Sequence, residues 1–435
     1  MASPTAYLLK KNTFLPLFLT QFFGAFNDNA FKLSMLTLIS YHLSSSQEQS
    51  EQYQAFAGAL FTLPFFLFSA TAGQLADKYD RAKMARLVKL FELLLMCLGG
   101  VALYQGSIIF MMVILTGLGI HSTFFGPIKY AILPDHLPHD YLLSATALIE
   151  ASTFLAILIG TTLGALAIGT SKIHVGYAVL ITNFAALAGL TASFFIPAAV
   201  ARSPNLQVDW HLWRATKFML KEVMQDAHLY PAILAISWFW LIGAIMLTKL
   251  PDYTHYVLGA DTSVFALFLA LFSIGIALGA LTISRILTGK ISLRYVPIAM
   301  FFLSLFAFDL YWMSPKVVPE ETLLSLPQFL VKLNYLRITV DFFLFSFCGG
   351  MFVVPLYTYL QVRSDEGARA RTIAANNIVN AIFMVIGTLI VIVLLHFNLS
   401  IAQVFFILAI LNAIAALIFW FLLRTDMSTN LAEKS

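Results

Sequence analysis

Apolar residues along this chain fall into long blocks separated by short polar stretches. Each block has about 20 residues or more, the length that an α-helix needs to cross a hydrocarbon core about 30 Å thick. The pattern therefore predicts twelve transmembrane helices. The predicted spans cover residues 14–42, 53–76, 86–105, 107–132, 142–168, 174–199, 229–257, 263–287, 295–313, 335–361, 370–395 and 401–424.

The longest polar stretch lies between the sixth and seventh predicted spans. It divides the chain into an N-terminal six-helix half (1–200), a linker (201–228) and a C-terminal six-helix half (229–435). Aromatic, apolar and basic residues alternate in the linker: Trp210, Trp213, Arg214, Lys217, Phe218, Met219 and Lys221. This pattern is typical of a helix in the lipid headgroup layer, and a plain linker helix fits it equally well.

An internal repeat relates the two predicted halves. Gly24-Ala25 in the first span recurs as Gly243-Ala244 in the seventh, and the tract 145–152 in span five has a counterpart at 374–381 in span eleven. Repeated halves in membrane proteins are typical of alternating access around a site near the bilayer midplane. The repeat therefore predicts a transporter with two pseudo-symmetric halves.

Composition excludes a soluble protein. Of the 435 residues, 60% are hydrophobic and only 11% are charged, whereas a soluble chain has about a quarter charged. The two cysteines, Cys97 and Cys348, lie inside apolar blocks, so we expect no disulfide framework, no metal site and no cofactor. No nucleotide-binding loop or pair of nucleophile and base stands out, so an enzyme is not expected.

Basic residues indicate the orientation. Most of the 26 lysines and arginines fall in segments on one side of the predicted spans, including the cluster from Lys78 to Lys89 between spans two and three. Cytoplasmic loops carry such an excess. We therefore predict a multi-pass membrane protein with both termini in the cytoplasm.

The cluster after span two contains a motif. Gly73-Gln-Leu-Ala-Asp77-Lys78-Tyr-Asp-Arg81-Ala-Lys83 resembles the loop signature of the major facilitator class, with Asp80 in place of its second glycine. The resemblance implies the major facilitator fold. Acidic and basic groups at a helix end can hold neighbouring helices by charge and helix-dipole contacts. Gly73, Asp77, Lys78, Arg81 and Lys83 are thus predicted to form a conformational latch; a purely topogenic basic loop is the alternative.

Three further tracts, 21–32, 126–133 and 147–153, resemble the bacterial lysophospholipid transporter (LplT) family. The resemblance implies a protein of the bacterial inner membrane. It also implies transport of lysophosphatidylethanolamine and related lysolipids to the inner leaflet, where an acyltransferase re-acylates them. None of the nine histidines has Asp five positions later, as an acyltransferase motif requires. Any acyltransferase partner is therefore expected to be a separate protein. We also expect a monomeric transporter that has no nucleic-acid partners.

A zwitterionic headgroup needs an anion for its ammonium and a cation for its phosphate. Ionisable residues inside spans are costly and indicate a functional site. Asp28 suits the ammonium; Lys129, with Lys32 or Lys249 as alternatives, suits the phosphate. The candidate substrate-binding residues are Asn27, Asp28, Asn29, Lys32, His121, Lys129, Tyr130, Glu150, Lys249, Asp252, Asn376, Asn377 and Asn380.

Structural interpretations of the same residues remain open. Asp28 and Lys32 are four residues apart and can pair on one helix face, as can Arg337 and Asp341. His121 is either a proton carrier or a histidine satisfied by a neighbour. Glu150 either faces a cavity or bonds to an adjacent helix.

Two rival functions remain open. A proton-coupled exporter of amphiphiles is disfavoured, because Val113 stands where such exporters place Arg, and Gly160-x-x-x-Gly164-Ala165 lacks the proline of the antiporter motif. A carrier of a polar solute or metal chelate would instead have a small polar cavity closed to lipid.

Overall fold

The computed structural model describes residues 4–169, 174–315 and 323–424. Its first long helices are α1 Leu15–Leu38, α2 Gln47–Lys78, α3 Arg81–Gln105, α4 Ile108–Ala131, α5 His139–Ile168 and α6 Val175–Phe194, followed by the shorter α7 Leu212–Gln225. The remaining long helices are α8 Leu229–Asp252, α9 Thr262–Leu287, α10 Tyr295–Met313, α11 Leu333–Arg363, α12 Arg369–His396 and α13 Ile401–Leu422. Short helices occupy Pro4–Leu8, Leu133–His136 and Leu326–Val331, and π-helical turns extend α1 over Ile39–Leu43 and α8 over Tyr253–Val257.

The predicted all-α membrane fold is confirmed. Eleven helices in the described ranges are long and apolar enough to cross a membrane. Helix α1 is not among them, because Gln21, the tract 27–29 and Lys32 lower its hydropathy. Its 24 residues extend about 36 Å at 1.5 Å each, enough to span a bilayer. The count of twelve spans remains a prediction.

The chain divides into two compact units. The first contains Met1–Ala145, Leu155–Asp226 and Leu360–Ile378, and the second contains Thr146–Phe154, Ala227–Tyr359 and Val379–Ser435. The middle of α5 thus belongs to the second unit, and the start of α12 belongs to the first. The predicted boundaries at residues 200 and 228 remain predictions.

Helix α3 is bounded by residues suited to its ends. The Asp80 side chain accepts hydrogen bonds from the backbone N–H groups of Ala82 (2.8 Å) and Lys83 (3.1 Å), which satisfies the first turn. Gly106 ends the helix with a φ of 61°, a left-handed conformation that glycine adopts without steric cost. Asp80, the departure from the family motif, is therefore a helix cap.

Helices α1 and α5 approach closely in the first unit. A Cβ at Gly160 would collide with the backbone of Phe26, and one at Gly164 would lie 2.9 Å from the Cα of Ala30. The hydroxyl of Ser34 donates to the carbonyl of Gly164 at 2.9 Å. The two glycines therefore fix the position of α1, which carries the polar tract 27–29.

Candidate functional site

A buried polar cluster lies where α1, α3 and α4 meet in the first unit. Glu92 on α3 is its centre. Its carboxylate oxygens lie 2.6 Å from Nζ of Lys89, 2.8 Å from Nδ2 of Asn27 and 3.2 Å from Nε2 of His121. All four side chains are at most 2% exposed. Two cationic or protonatable groups and one amide thus surround a single carboxylate.

Asp28 extends this cluster along α1. Its Oδ2 accepts a hydrogen bond from the hydroxyl of Ser122, and its Oδ1 lies 3.7 Å from Nδ1 of His121. The Oδ1 atom receives no hydrogen bond from a described residue. The Asp28 side chain is 12% exposed, although this Oδ1 atom is itself buried.

Lys89 lies in a different place from the one predicted from the sequence. The prediction counted it with the basic cluster between spans two and three, but α3 begins at Arg81, so Lys89 lies more than two turns inside the helix and is fully buried. Its ammonium also lies 5.1 Å from the ring centroid of Phe125, a favourable contact for a desolvated cation.

Three members of the cluster were not among the site residues predicted from the sequence: Lys89, Glu92 and Ser122. A signal for the first two was present, because Glu92 is an acidic residue inside an apolar block with a lysine three positions before it. Ionisable residues in a span face a partner or a wet cavity. Ser122 gave no comparable signal, since serine is common in transmembrane helices.

An apolar cavity of about 280 Å³ opens between α3 and α4 beside the cluster. Leu87 and Phe91 line it from α3, and Phe124 and His121 line it from α4. His121 therefore borders the apolar cavity while its ring nitrogens lie near Glu92 and Asp28. The wall of the cavity is apolar, and the polar atoms of the cluster are buried behind it.

Other predicted residues of the first unit lie outside this cluster. The Asn29 amide donates to the Ala25 carbonyl of its own helix at 2.8 Å. The predicted pair between Asp28 and Lys32 is absent from the described residues; the Lys32 ammonium instead lies 5.6 Å from the ring centroid of Phe61. Lys129 is half-buried, and its ammonium lies 4.7 Å from the ring centroid of Tyr130.

Asn376 and Asn377, at the start of α12, also belong to the first unit. Asn376 is fully buried, and neither polar atom of its side chain has a hydrogen-bond partner among the described residues. The side chain of Asn377 lies so close to α4 that a Cβ at Gly126 would be 2.9 Å from its Nδ2.

The second unit holds the remaining candidates. Glu150 is buried in α5. Lys249 and Asp252 pair with each other at 3.0 Å, and Asn380 accepts a hydrogen bond from Ser237 at 2.8 Å.

The predicted ion pair of Arg337 with Asp341 also needs correction. Two guanidinium nitrogens of Arg337 on α11 donate to the carboxylate of Asp309 on α10, at 2.7 and 2.8 Å. This two-pronged contact between helices satisfies the planar guanidinium better than a contact along one helix.

Two of the motif residues, Asp77 and Arg81, belong to a connected ion-pair network in the first unit. Asp77 is fully buried and accepts hydrogen bonds from the backbone N–H groups of Ala370 (3.0 Å) and Arg371 (3.1 Å) at the start of α12. The Arg81 guanidinium lies 2.9 Å from Asp77 and 2.5 Å from Asp135. A carboxylate at a helix N-terminus is stabilised by the helix dipole as well as by these donors.

A second arginine continues the network. Arg202 lies 2.8 Å from Asp135 and 3.0 Å from Glu366, and its hydrogen bonds to Asp135 raise the pKa of Arg202. Gly73 permits the close approach of α2 to α12, since a Cβ there would lie 2.7 Å from the Cβ of Ala374. Lys78 is half-buried over Tyr79, and Lys83 is exposed.

Buried ionisable residues inside apolar helices are found along the substrate and ion pathways of transporters. The sequence profile of the Major Facilitator Superfamily matches residues 17–388. The chain therefore belongs to the Major Facilitator Superfamily, and it is a transporter rather than an enzyme.

The proteins to which this chain is similar include other transporters. The chain is similar to the lysophospholipid transporter LplT of Escherichia fergusonii and to that of Citrobacter koseri, each 27% identical over 82% of both chains. Its fold is similar to that of the human organic anion transporter MFSD10 (TM-score 0.73, 16% identity, 95% of this chain and 99% of that one). The transporter FucP in its outward conformation is similar to the same extent (TM-score 0.72, 11% identity, 95% and 99%).

Proposed function

We propose that the protein moves lysophospholipids, with lysophosphatidylethanolamine as a principal substrate, across the bacterial inner membrane to the cytoplasmic leaflet. It works by alternating access as a flippase-like carrier, and a separate acyltransferase re-acylates the delivered lipid. Similarity to two LplT proteins supports the substrate class. Both termini lie in the cytoplasm in this proposal.

The observation that carries this proposal is the contact between the ionisable cluster and the apolar cavity. A lysophospholipid combines one acyl chain with a small charged headgroup, so its site needs apolar and ionisable walls side by side. His121 lies between the two, because its ring borders the apolar 280 Å³ cavity and its buried ring nitrogens lie near Glu92 and Asp28. A carrier of a sugar or a metal chelate would not need the apolar wall.

Asp28 is the proposed partner of the headgroup ammonium. Glu92 is surrounded by Lys89, His121 and Asn27. In contrast, the buried Oδ1 of Asp28 receives no hydrogen bond from the described part of the chain, and 12% of the Asp28 side chain is exposed. Of the two carboxylates, Asp28 is therefore the one that can accept a further cation. Asn27 and Ser122 hold the surrounding geometry.

Lys129 is the proposed partner of the phosphate, with Lys32 and Lys249 as alternatives. Lys249 pairs with Asp252, whereas Lys32 and Lys129 each lie over an aromatic ring, that of Phe61 and that of Tyr130. Lys129 stands two turns after His121 on α4, about 12 Å along the helix axis at 1.5 Å per residue. The four methylenes of the Lys129 side chain can bring its ammonium closer to His121, so that the separation approaches the length of a phospholipid headgroup.

The remaining residues predicted from the sequence are also part of the proposed substrate-binding site. They are Asn29, Tyr130, Glu150, Asp252, Asn376, Asn377 and Asn380. Asn376 has the strongest case, because a fully buried amide without partners is costly unless a ligand or water satisfies it.

Equilibrium binding tests the substrate class. Radiolabelled lysophosphatidylethanolamine bound to the purified protein should be displaced by unlabelled lysolipid and not by fucose or another sugar. Displacement by the sugar, with no saturable lysolipid binding, would instead favour the polar-solute carrier.

Replacing Lys129 by alanine should weaken binding of phosphate-bearing lysolipids by roughly 1–3 kcal/mol, the free energy of a hydrogen bond to a charged group. The same displacement assay measures this change. The exposed Lys290 provides a matched control, and Lys290→Ala should bind as the unmodified protein does. Unchanged binding in Lys129→Ala, in correctly inserted protein, would remove Lys129 from the site.

Replacing Asp77 by alanine should slow transport while substrate affinity stays within a few-fold. The variant loses the carboxylate that receives the N–H groups of Ala370 and Arg371 and pairs with Arg81. Turnover and binding are measured separately in vesicles and in detergent, with the exposed Asp140 replaced by alanine as control. If affinity collapsed and turnover did not change, Asp77 would belong to a binding site rather than to a latch.

One observation favours a proton-coupled mechanism as a second candidate. His121 lies between two carboxylates, at 3.2 Å from Glu92 and 3.7 Å from Asp28, an arrangement in which a proton can move between acceptors. A transport rate that follows an imposed pH gradient, and that loses this dependence in His121→Gln, would support it. A rate independent of the gradient would exclude it.

A further inference from the structure

Helix α7 has one packed face and one open face. Ala215, Thr216, Met219 and Val223 are buried on the side where α7 packs against α2. The opposite side carries large apolar residues that are more than half exposed, with Trp213 at 75%, Phe218 at 65% and Met224 at 57%. Exposure of apolar side chains of this size to water is unfavourable when they lie on the same side of a helix.

Basic residues stand among these apolar side chains. Arg214, Lys217 and Lys221 are exposed on the same open side. Arg214 pairs with Asp209 at 2.7 Å, and this contact lowers the pKa of Asp209 to about 2. Neither Lys217 nor Lys221 forms an ion pair with a described residue, so both ammonium groups are available to an anion.

Hydrogen bonds fix the depth of this segment relative to α2. The backbone N–H of Asp209 donates to the Gln74 side chain at 2.8 Å, and that of Ser203 donates to the Asp77 carbonyl at 2.9 Å. Both acceptors lie in the last turns of α2, which ends at Lys78. Helix α7 is therefore attached where a membrane span passes from hydrocarbon to the polar boundary.

We propose that the open face of α7 is a binding surface for the headgroups of anionic phospholipids. At this depth the aromatic side chains reach the boundary of the acyl chains, and the lysines meet the phosphates. A water-exposed linker would leave three large apolar side chains in water, and a zwitterionic headgroup layer would have no net negative charge to attract the two lysines. This surface is independent of the proposed substrate, because none of its residues belongs to the candidate binding site.

A fluorescent label at residue 224 tests the surface directly. Cys97 and Cys348 are replaced by serine, Met224→Cys places the label on the open face, and Asn205→Cys places it on an exposed loop as a reference. The full chain is reconstituted in vesicles that contain spin-labelled phosphatidylglycerol or spin-labelled phosphatidylcholine as quencher. Iodide serves as the aqueous quencher.

The label at residue 224 should be shielded from iodide relative to the label at residue 205. Phosphatidylglycerol should quench it at least about fivefold more than phosphatidylcholine does, the factor expected from one basic residue beside an anionic headgroup. K217Q/K221Q should abolish this preference, and the control K290Q/R294Q, which removes two exposed charges elsewhere, should retain it. Equal quenching by the two lipids would overturn the proposal. Iodide access equal to that at residue 205 would also overturn it, and would point to an aqueous linker or a soluble partner.

Discussion

Asp28→Asn is expected to reduce transport of lysophosphatidylethanolamine at least about tenfold, while transport of lysophosphatidylglycerol falls much less. The substitution keeps the size of the side chain and removes only its charge. A loss of 1.4 kcal/mol of binding to the transported ammonium corresponds to a factor of ten, and lysophosphatidylglycerol has no ammonium. The measurement is the initial rate of uptake of each labelled lysolipid into reconstituted vesicles.

Two controls separate charge from structure in this experiment. Glu51→Gln removes an exposed carboxylate at the start of α2 and should leave both rates unchanged. Ser122→Ala removes the hydroxyl that donates to Asp28 while the carboxylate remains, so the preference between the two lysolipids should persist. If Asp28→Asn slowed both substrates equally, Asp28 would be a structural or proton-carrying residue.

The second large effect concerns stability. Lys89→Gln should lower the free energy of unfolding by about 3–5 kcal/mol, because it leaves Glu92 buried without its closest cation. Lys32→Gln is the matched control in the neighbouring helix. Its ammonium contacts the ring of Phe61, a contact of about 0.5–1 kcal/mol at a partly exposed site, so its loss should cost far less.

The double variant K89M/E92Q tests the cause. It removes both charges, so no unpaired ion remains, and at least half of the lost stability should return. Thermal unfolding in one detergent measures the stability of the unmodified protein and of the three variants. If Lys89→Gln were no less stable than Lys32→Gln, Lys89 and Glu92 would not form a tight buried pair.

Much of this architecture was predictable, because a span must carry about 20 apolar residues and Asp77 stands in a specific motif. Contacts within one helix follow from spacing, but contacts between helices depend on how the helices pack. Arg337 illustrates the limit: four-residue spacing suggested Asp341, whereas the guanidinium pairs with Asp309 on another helix. Asp28 likewise pairs across helices, with His121 and Ser122 rather than with Lys32.

Helix α1 shows a different limit. The polar residues that lower its hydropathy below that of the other spans are Asn27, Asp28 and their neighbours, which form part of the cluster. The residues proposed to bind substrate thus make α1 less apolar than a membrane span usually is. The sequence pattern identified the tract as a candidate site, and the packing of α1 against α3 and α4 supplied its partners.

Uptake by vesicles that contain only this protein tests the central claim most directly. Labelled lysophosphatidylethanolamine, fucose and a cationic amphiphilic drug are offered separately, with protein-free vesicles as background. If the protein is a lysolipid carrier, we expect saturable, protein-dependent transfer of the lysolipid between leaflets, with the sugar and the drug at background. Transport of the sugar or the drug without transfer of the lysolipid would contradict it.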